Sequence, residues 1–297
     1  MSITKQTPPK LIEFRSLVKK FNQTTVLNGL NGEFFGGERI ALIGQNGAGK
    51  TTLIRCILGE YVYEGELRVL GKDPRTFRKE ILKHVGFVPQ LPPPLRLTVE
   101  ELISFISGLT ATPEKEFYAI AEALGLKIQD NLKKPFFKLS GGMKQKILIS
   151  LALGKRPKIL IMDEPTANLD PQARKVFLDY LKDFDHQTMM LLSSHRISEL
   201  QQIVNRVVEM DFGRIVLDEH ISTVVGDEVA YRYFVSFFEV NDDLNRLLHV
   251  WGFQKNQKPN TFFTVVRGSD SPRLMEELTR FASLIDSFKV DRVKEEQ

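Results

Sequence analysis

Residues 44–51 read Gly44-Gln45-Asn46-Gly47-Ala48-Gly49-Lys50-Thr51 and match the pattern G-x-x-x-x-G-K-[ST]. The apolar run 39–43 before them is typical of a buried strand, and the pattern turns helical from Thr51 to Leu58. A glycine-rich loop between a strand and a helix lets backbone N–H groups surround the phosphates of a nucleotide. The sequence therefore predicts an α/β core built around a phosphate-binding loop.

Different residues of the loop are suited to bind different parts of a nucleotide and its metal ion. The glycines let the backbone turn inward, Lys50 adds positive charge, and Thr51 offers a hydroxyl to Mg²⁺. The expected cofactors are therefore ATP and Mg²⁺. The predicted ATP-binding residues of the loop are Gly44, Gln45, Asn46, Gly47, Ala48, Gly49, Lys50, Thr51 and Thr52.

Two carboxylates, Asp163 and Glu164, end the apolar run 159–162. Such a pair alone is usually the solvated start of a loop, but here a phosphate-binding loop lies upstream. Asp163 is suited to hold Mg²⁺ through water, and Glu164 is suited to polarise an attacking water as a general base. The sequence thus predicts a hydrolytic site.

Four further motifs complete an ordered series along the chain. They are Gln90, the heptapeptide Leu139-Ser140-Gly141-Gly142-Met143-Lys144-Gln145, the tripeptide Asn168-Leu169-Asp170, and His195. With the phosphate loop and the acidic pair, this series resembles the ATP-binding-cassette (ABC) ATPase family over about residues 10–220. The heptapeptide is specific to that family among phosphate-loop proteins.

The resemblance implies roles for three residues near the nucleotide. Phe21 would stack on adenine, where many members have Tyr, although a core aromatic is the alternative. Gln90 would contact Mg²⁺ or the attacking water and relay occupancy of the site to a membrane partner. His195 would contact the γ-phosphate and orient the water. The implied catalytic residues are Glu164, His195 and Gln90, and the implied metal-binding residues are Thr51, Gln90 and Asp163.

The resemblance also implies that a second copy of the chain completes each site. Ser140, Gly141 and Gly142 would bind the γ-phosphate held by that copy, and Gln145 would belong to the same interface. Asp170 would cross the dimer interface, or alternatively cap the helix that Pro171 begins. A homodimer of ATPase subunits is expected, because one chain carries every motif.

Composition and charge narrow the remaining possibilities. The 297 residues carry a net charge of +4 and a single cysteine, Cys56, which excludes an internal disulfide framework. There is no long basic block, so nucleic acid is not an expected partner. The first ten residues lack a signal-peptide core, and no run approaches about 18 apolar residues. We expect a soluble cytoplasmic protein, peripheral on the inner face of the cell membrane through a permease.

The sequence pattern changes at two points along the chain, which indicates an inserted subdomain and a second domain. Residues of about 91–155 read as a helical subdomain inserted into the α/β core, starting at a capping box formed by Thr98 and Glu101. We assign residues 1–222 to the ABC ATPase domain, in which the resemblance implies an antiparallel β subdomain. Residues 223–297 follow a βαβαβ-like order and are assigned to a small α+β accessory domain with its own core.

The expected function is that of the ATP-hydrolysing subunit of an ABC transporter, which dimerises on ATP and drives a transmembrane partner. The phosphate loop and the segment 169–171 resemble those of export-type members. The alternatives are an import subunit and a soluble ABC-type ATPase that acts on ribosomes or DNA. The role of the C-terminal domain is either ligand-dependent regulation or dimerisation. The sequence does not specify the cargo.

Overall fold

The structure is a computed structural model that describes residues 8–194, 200, 202–221, 230–256, 258–267, 270–279, 281 and 284–293. The chain divides into two compact units between Ile221 and Ser222. The boundary proposed from the sequence, between residues 222 and 223, lies one residue further along. None of the described helices is both long and apolar enough to cross a membrane.

The first unit holds two sheets. Its strands are β1 (Lys10–Phe21), β2 (Thr24–Phe35), β3 (Arg39–Ile43), β4 (Glu64–Val69), β5 (Val85–Val88), β6 (Ile159–Asp163), β7 (Met189–Ser193), β8 (Arg206–Asp211) and β9 (Arg214–His220). A six-stranded sheet has the order β5-β6-β7-β3-β8-β9, parallel except for β9. The antiparallel β subdomain has the order β2-β1-β4.

The strands of a parallel sheet are buried on both faces of the sheet, and the central strands here are nearly continuous apolar runs, as such burial requires. Every residue of β6 and β7 is buried. The helices of this unit are α1 (Lys50–Ile57), α2 (Arg78–Leu82), α3 (Val99–Thr110), α4 (Glu114–Ala123), α5 (Gly141–Gly154) and α6 (Pro171–Lys182), with short 3₁₀ turns at Gln129–Asn131 and Phe136–Lys138. One core lies between the central sheet, α1 and the antiparallel sheet, and a second covers the opposite face under α6.

The inserted helical subdomain has a core of its own, which includes Ile103, Phe117, Phe136 and Ile147. Its first helix, α3, starts at the predicted capping box: Thr98 accepts from the amide of Glu101, whose carboxylate accepts from the amide of Thr98. The mixed α/β phosphate-loop fold, with its antiparallel and helical subdomains, is therefore confirmed.

The second unit is α+β. Its elements are β10 (Ala230–Phe237), α7 (Asp242–Val250), β11 (Gln254–Lys255), β12 (Thr261–Arg267), α8 (Ser271–Thr279) and β13 (Ile285–Arg292). The antiparallel sheet has the order β11-β12-β10-β13. The order along the chain is βαββαβ rather than the expected βαβαβ, because β11 has only two residues and both are polar, which gives no period-two signal.

Candidate nucleotide-hydrolysis site

The loop between β3 and α1 needs glycine for two separate reasons. Gly44 has φ 142°, and a Cβ there would lie 2.1 Å from the carbonyl oxygen of Met210. Gly49 has φ 105° at the start of α1, where a Cβ would lie 2.9 Å from Leu27. Side chains at these positions would strain the backbone or displace a neighbouring strand, so the loop conformation depends on glycine.

Lys50 lies inside this loop rather than in solvent. Its Nζ donates to the carbonyl oxygens of Gly44, at 2.6 Å, and Gln45, at 3.0 Å, and the side chain is buried. Burial lowers the pKa of Lys50, while the nearby carboxylates of Glu164 and Asp163 raise it. The ammonium group is therefore held at the centre of a loop whose backbone is shaped to receive phosphate.

Three oxygen groups from separate elements meet behind the loop. The hydroxyl of Thr51, in the first turn of α1, donates to Asp163 Oδ2 at 2.8 Å. The hydroxyl of Ser193 donates to Asp163 Oδ1. These contacts form because β6 and β7 are neighbouring parallel strands that end at the same edge of the sheet. Asp163 is therefore buried and oriented by hydroxyl groups on both carboxylate oxygens.

Glu164 follows directly and has an unusual backbone conformation, with φ 48°. A non-glycine residue in the left-handed region has to be held there by its surroundings. Its amide donates to Ser193 Oγ at 3.0 Å and to the Ser193 carbonyl oxygen at 3.2 Å. Ser193 thus positions both acidic residues.

Three further residues predicted to contact the nucleotide or its water are described by the structure, and they come from separate parts of the chain. Gln90 is exposed and follows β5, the neighbour of β6, so its backbone leaves the sheet at the same edge as Asp163. Phe21 ends β1 and is 40% exposed. His195 lies outside the described residues. Thr52, in the first turn of α1, is half-buried.

The heptapeptide starts α5. Ser140 is the N-cap, and its side chain accepts from the amide of Met143 at 3.3 Å. Ser140 and Gly141 are exposed, and Gly142 is half-buried. A Cβ on Gly142 would lie 2.9 Å from the carbonyl oxygen of Asn168. The start of α5 therefore packs closely against the segment that follows Glu164 in the same chain.

A hydrogen bond and an ion pair also connect the start of α5 to the segment that follows Glu164. Gln145 Nε2 donates to the Pro165 carbonyl oxygen at 3.0 Å, and Lys146 Nζ lies 2.8 Å from Asp170 Oδ2. Asp170 also caps α6 by accepting from the amide of Ala173, and the Lys146 ammonium lowers the pKa of this carboxyl. Asp170 is exposed, so the helix cap and a contact with a second chain are compatible uses of this residue.

Gln145 differs from the expectation. Its side chain is fully buried and bonds within its own chain, so a second subunit cannot reach it in this arrangement. The physical reason is that α5 is apolar on nearly every side and packs into two cores, which leaves Gln145 facing the loop after Glu164. We therefore assign Gln145 to positioning that loop.

Comparison with known proteins identifies the family. The family model described as ABC transporter matches residues 27–167. The L-cystine transport system ATP-binding protein of Escherichia coli is 34% identical over 220 residues, which cover 69% of this chain and 88% of that protein. This chain belongs to the ABC transporter family. As a member of this family, the protein is an ATPase whose cofactors are ATP and Mg²⁺.

Two more comparisons extend this result. The sulfate/thiosulfate import ATP-binding protein of Bradyrhizobium diazoefficiens is 38% identical over 216 residues, which cover 69% of the ABC chain but only 62% of that protein. A solved structure described as the ATP-binding subunit of an ABC transporter has a TM-score of 0.65 at 24% identity. It covers 91% of the ABC chain and 99% of its own, and it shows the fold alone.

The donor set of the ABC chain fits a magnesium ion. Mg²⁺ is usually bound by one or two carboxylates, hydroxyls and substrate phosphates rather than by a cage of protein ligands. Thr51 Oγ1 and Asp163 Oδ2 are hard oxygen donors 2.8 Å apart. Among the described residues, no group of three or more His, Cys, Asp or Glu side chains could hold a metal by itself. Two protein oxygens leave the other positions of a magnesium ion to water and to the phosphates of the substrate.

Sequence reasoning missed two residues that position the site. Ser193 ends a fully apolar strand and carries no motif, yet it bonds to both Asp163 and Glu164. A signal for it exists, because a polar residue at the carboxyl end of a buried strand faces the functional edge of a parallel sheet. Lys146 lies just after the heptapeptide, and only the packing of α5 against the Asp170 loop reveals its contact.

Proposed function

We propose that the protein is the nucleotide-binding subunit of an ABC transporter, that two copies close on two ATP molecules, and that hydrolysis drives a transmembrane permease. One observation carries the proposal: Lys50, Thr51, Asp163 and Glu164 meet at a single edge of the sheet. This arrangement provides charge for phosphates, oxygen donors for Mg²⁺ and a carboxylate beside them.

Each residue has a part in the reaction. The backbone of the loop 44–51 and Lys50 hold the β- and γ-phosphates, and Thr51 and Asp163 hold Mg²⁺, which neutralises charge on those phosphates when bound. Glu164 accepts a proton from the water that attacks the γ-phosphate. Gln90, and His195 beyond the described residues, are assigned to placing this water.

The second copy supplies the other half of each site. Ser140 and Gly141 are exposed at the N-terminus of α5, where backbone N–H groups and the helix dipole favour an anion. A γ-phosphate held by the phosphate-binding loop of the second copy would accept hydrogen bonds from these N–H groups and interact favourably with the helix dipole. Asp170, tied to α5 by Lys146, belongs to the same face. ATP thus lies between two chains, and hydrolysis separates them.

Replacement of the general base tests this proposal. Glu164→Gln keeps the shape of the side chain and removes the proton acceptor, so we expect ATP binding to persist while phosphate release falls by about 10²- to 10⁴-fold. The variant should form a stable dimer with ATP, measured by light scattering after size exclusion. Glu122→Gln, an exposed change on α4, is the matched control and should behave as wild type.

Substantial hydrolysis by Glu164→Gln would remove Glu164 as the base. A variant that binds ATP, does not turn over and remains monomeric would instead contradict the paired mechanism, since a stalled site between two chains has to hold them together. The two outcomes therefore test separate parts of the proposal.

The proposed location is the inner face of the cell membrane, where the protein is held by its permease. For direction, we propose export, because the loop 44–51 and the segment 169–171 resemble export-type members. Import is the second candidate, because the sulfate/thiosulfate relative is named for import. Co-purification with the stable Glu164→Gln dimer isolates the permease. Wild-type protein reconstituted with that permease in vesicles then decides between export and import, by whether cargo moves away from or toward the ATPase side.

A further inference from the structure

A pair of aromatic rings lies beside the phosphate-binding loop. Phe21, at the end of β1, meets Tyr61 edge to face, with the ring centroids 5.2 Å apart and the planes at 85°. Tyr61 is half-buried between α1 and β4, whereas Phe21 is 40% exposed. The outer ring is therefore available to a ligand, and the inner ring supports it.

Two cations complete this cluster. Lys19 Nζ lies 4.5 Å from the centroid of the Phe21 ring and 5.4 Å from that of Tyr61. The guanidinium carbon of Arg55 lies 5.6 Å from the Tyr61 centroid, and Arg55 Nη1 donates to the Tyr61 hydroxyl at 3.0 Å. Cation–π contacts and the hydrogen bond together restrict the Tyr61 ring.

The cluster is attached to the same helix that holds the phosphates. Arg55 and Lys50 both belong to α1, five residues apart, or about 7.5 Å along the helix axis. A rigid helix thus connects the residue that binds phosphate to the residue that fixes Tyr61. The position of the Phe21 ring relative to the loop is set through Tyr61 rather than by the exposed end of β1 alone.

We propose that Tyr61 is a positioning residue for the nucleotide base: it holds the Phe21 ring in the orientation in which the ring stacks on the purine, and Arg55 fixes Tyr61 to α1. The inference rests on the proposed function, because it requires ATP to bind at the loop. A ring held by a neighbour loses less conformational freedom when a base stacks on it, which strengthens binding. The phosphate contacts do not depend on this ring pair.

Calorimetric titration with two ligands separates base from phosphate contacts. ATP carries both, whereas inorganic tripolyphosphate carries only the phosphates, and each is used with Mg²⁺. The variants are Phe21→Ala, Tyr61→Ala, Tyr61→Phe and the double variant Phe21→Ala/Tyr61→Ala. Tyr180→Ala, a partly exposed tyrosine on α6, is the matched control, and Lys50→Ala reports on the phosphate site.

We expect Tyr61→Ala to weaken ATP binding by about three- to tenfold, the range for loss of one aromatic pair, and to leave tripolyphosphate binding unchanged. Tyr61→Phe keeps the ring and should lose at most about twofold. The double variant should bind ATP no more weakly than Phe21→Ala, since Tyr61 acts through Phe21. Lys50→Ala should weaken both ligands.

Three results would overturn the inference. Tyr61→Ala could bind ATP like wild type while Phe21→Ala does not, it could weaken both ligands equally, or Phe21→Ala could itself leave ATP affinity unchanged. In each case the phosphate site stands as long as Lys50→Ala weakens both ligands. Failure of the wild-type protein to bind either ligand would instead contradict the proposed function.

Discussion

Lys50, which is buried, and Lys155, which is half-buried, show how neighbouring residues affect the charge of a side chain. Lys50 has two carbonyl partners and two nearby carboxylates, which support its positive charge. Lys155 donates to a single carbonyl oxygen, that of Leu82, at 3.2 Å, and burial lowers its pKa to about 8. Burial thus lowers the pKa of both lysines, and the carboxylates offset this in part at Lys50. In the proposed function the charge of Lys50 binds phosphate, whereas the charge of Lys155 is a cost to the folded state.

Lys155 therefore predicts a pH dependence of stability. Its pKa is 10.5 in the unfolded chain and about 8 in the folded one, so the unfolded chain binds more protons between these values. The free energy of unfolding should rise with pH across this window, by up to about 3 kcal/mol from this residue. Urea denaturation of wild type and Lys155→Met at intervals from pH 7 to pH 10 measures it.

Lys155→Met should be the more stable protein at pH 7, and its advantage should shrink as the pH rises above 8. The difference between the two proteins isolates Lys155 from the other groups that titrate in this range. Parallel stability profiles would show that the ammonium group is solvated in the folded state.

At the scale of elements, α5 connects the two parts of the proposed site, the start of the heptapeptide helix and the loop after Glu164. Its apolar residues pack into the core under α6 and into the core of the helical subdomain, so the helix cannot move without disturbing both. Gln145 and Lys146 connect it to the loop that follows Glu164. The residues that we propose to face the second copy are thereby held on the same framework as Glu164, the proposed general base.

Ser140→Arg tests the use of α5 by the second copy. The side chain is exposed, so a bulky cation is expected to leave binding of ATP to the monomer intact and to block turnover by at least about tenfold. Loss of the N-cap should also lower the free energy of unfolding by about 1 kcal/mol. Steady-state phosphate release measures turnover, and nucleotide titration measures the binding of ATP to the monomer.

Ala123→Arg adds the same bulk and charge at an exposed position of the same subdomain and serves as the control. Equal turnover by wild type and Ser140→Arg would show that the start of α5 does not face a second nucleotide.

At the scale of the whole molecule, the hydrophobic cores follow the division into two units. The second unit has a separate core that includes Tyr233, Val235, Leu244 and Leu274. Every residue assigned to the nucleotide site lies before Ile221. The assignment of residues 223–297 to an accessory domain is a proposal, and its role is open between regulation and assembly.

A chain that ends at Ile221 tests this division. We expect it to unfold cooperatively and to bind and hydrolyse ATP within about twofold of the full chain, because it keeps three complete cores. Circular dichroism melting, phosphate release and light scattering with ATP are the measurements. Unchanged hydrolysis with weaker dimerisation would give the second unit a role in assembly, whereas loss of folding would contradict the division.

The sequence predicted elements best where a local pattern is strong. The strand Arg39–Ile43, the capping box at Thr98 and the strand that ends at Asp163 are found where the periodicity and the caps place them. The strand β4 was not anticipated, and helix α6 was anticipated only at its start, where Asp170 and Pro171 indicate a helix cap. β4 has the pattern EGELRV, whose glycine and charges hide the period-two signal, and three of its residues before Leu67 are exposed.

By itself the sequence predicted the chemistry of this protein, because the phosphate loop and the acidic pair are runs of adjacent residues whose local geometry indicates what each can bind. The heptapeptide is also a run of adjacent residues, and it carries the resemblance to the family. Only the tertiary structure decided which groups meet. Ser193 reaches Asp163, Lys146 reaches Asp170 and Tyr61 reaches Phe21 across separations that no local pattern records. Such contacts follow from strand order and helix packing, which depend on the burial of apolar residues throughout the chain.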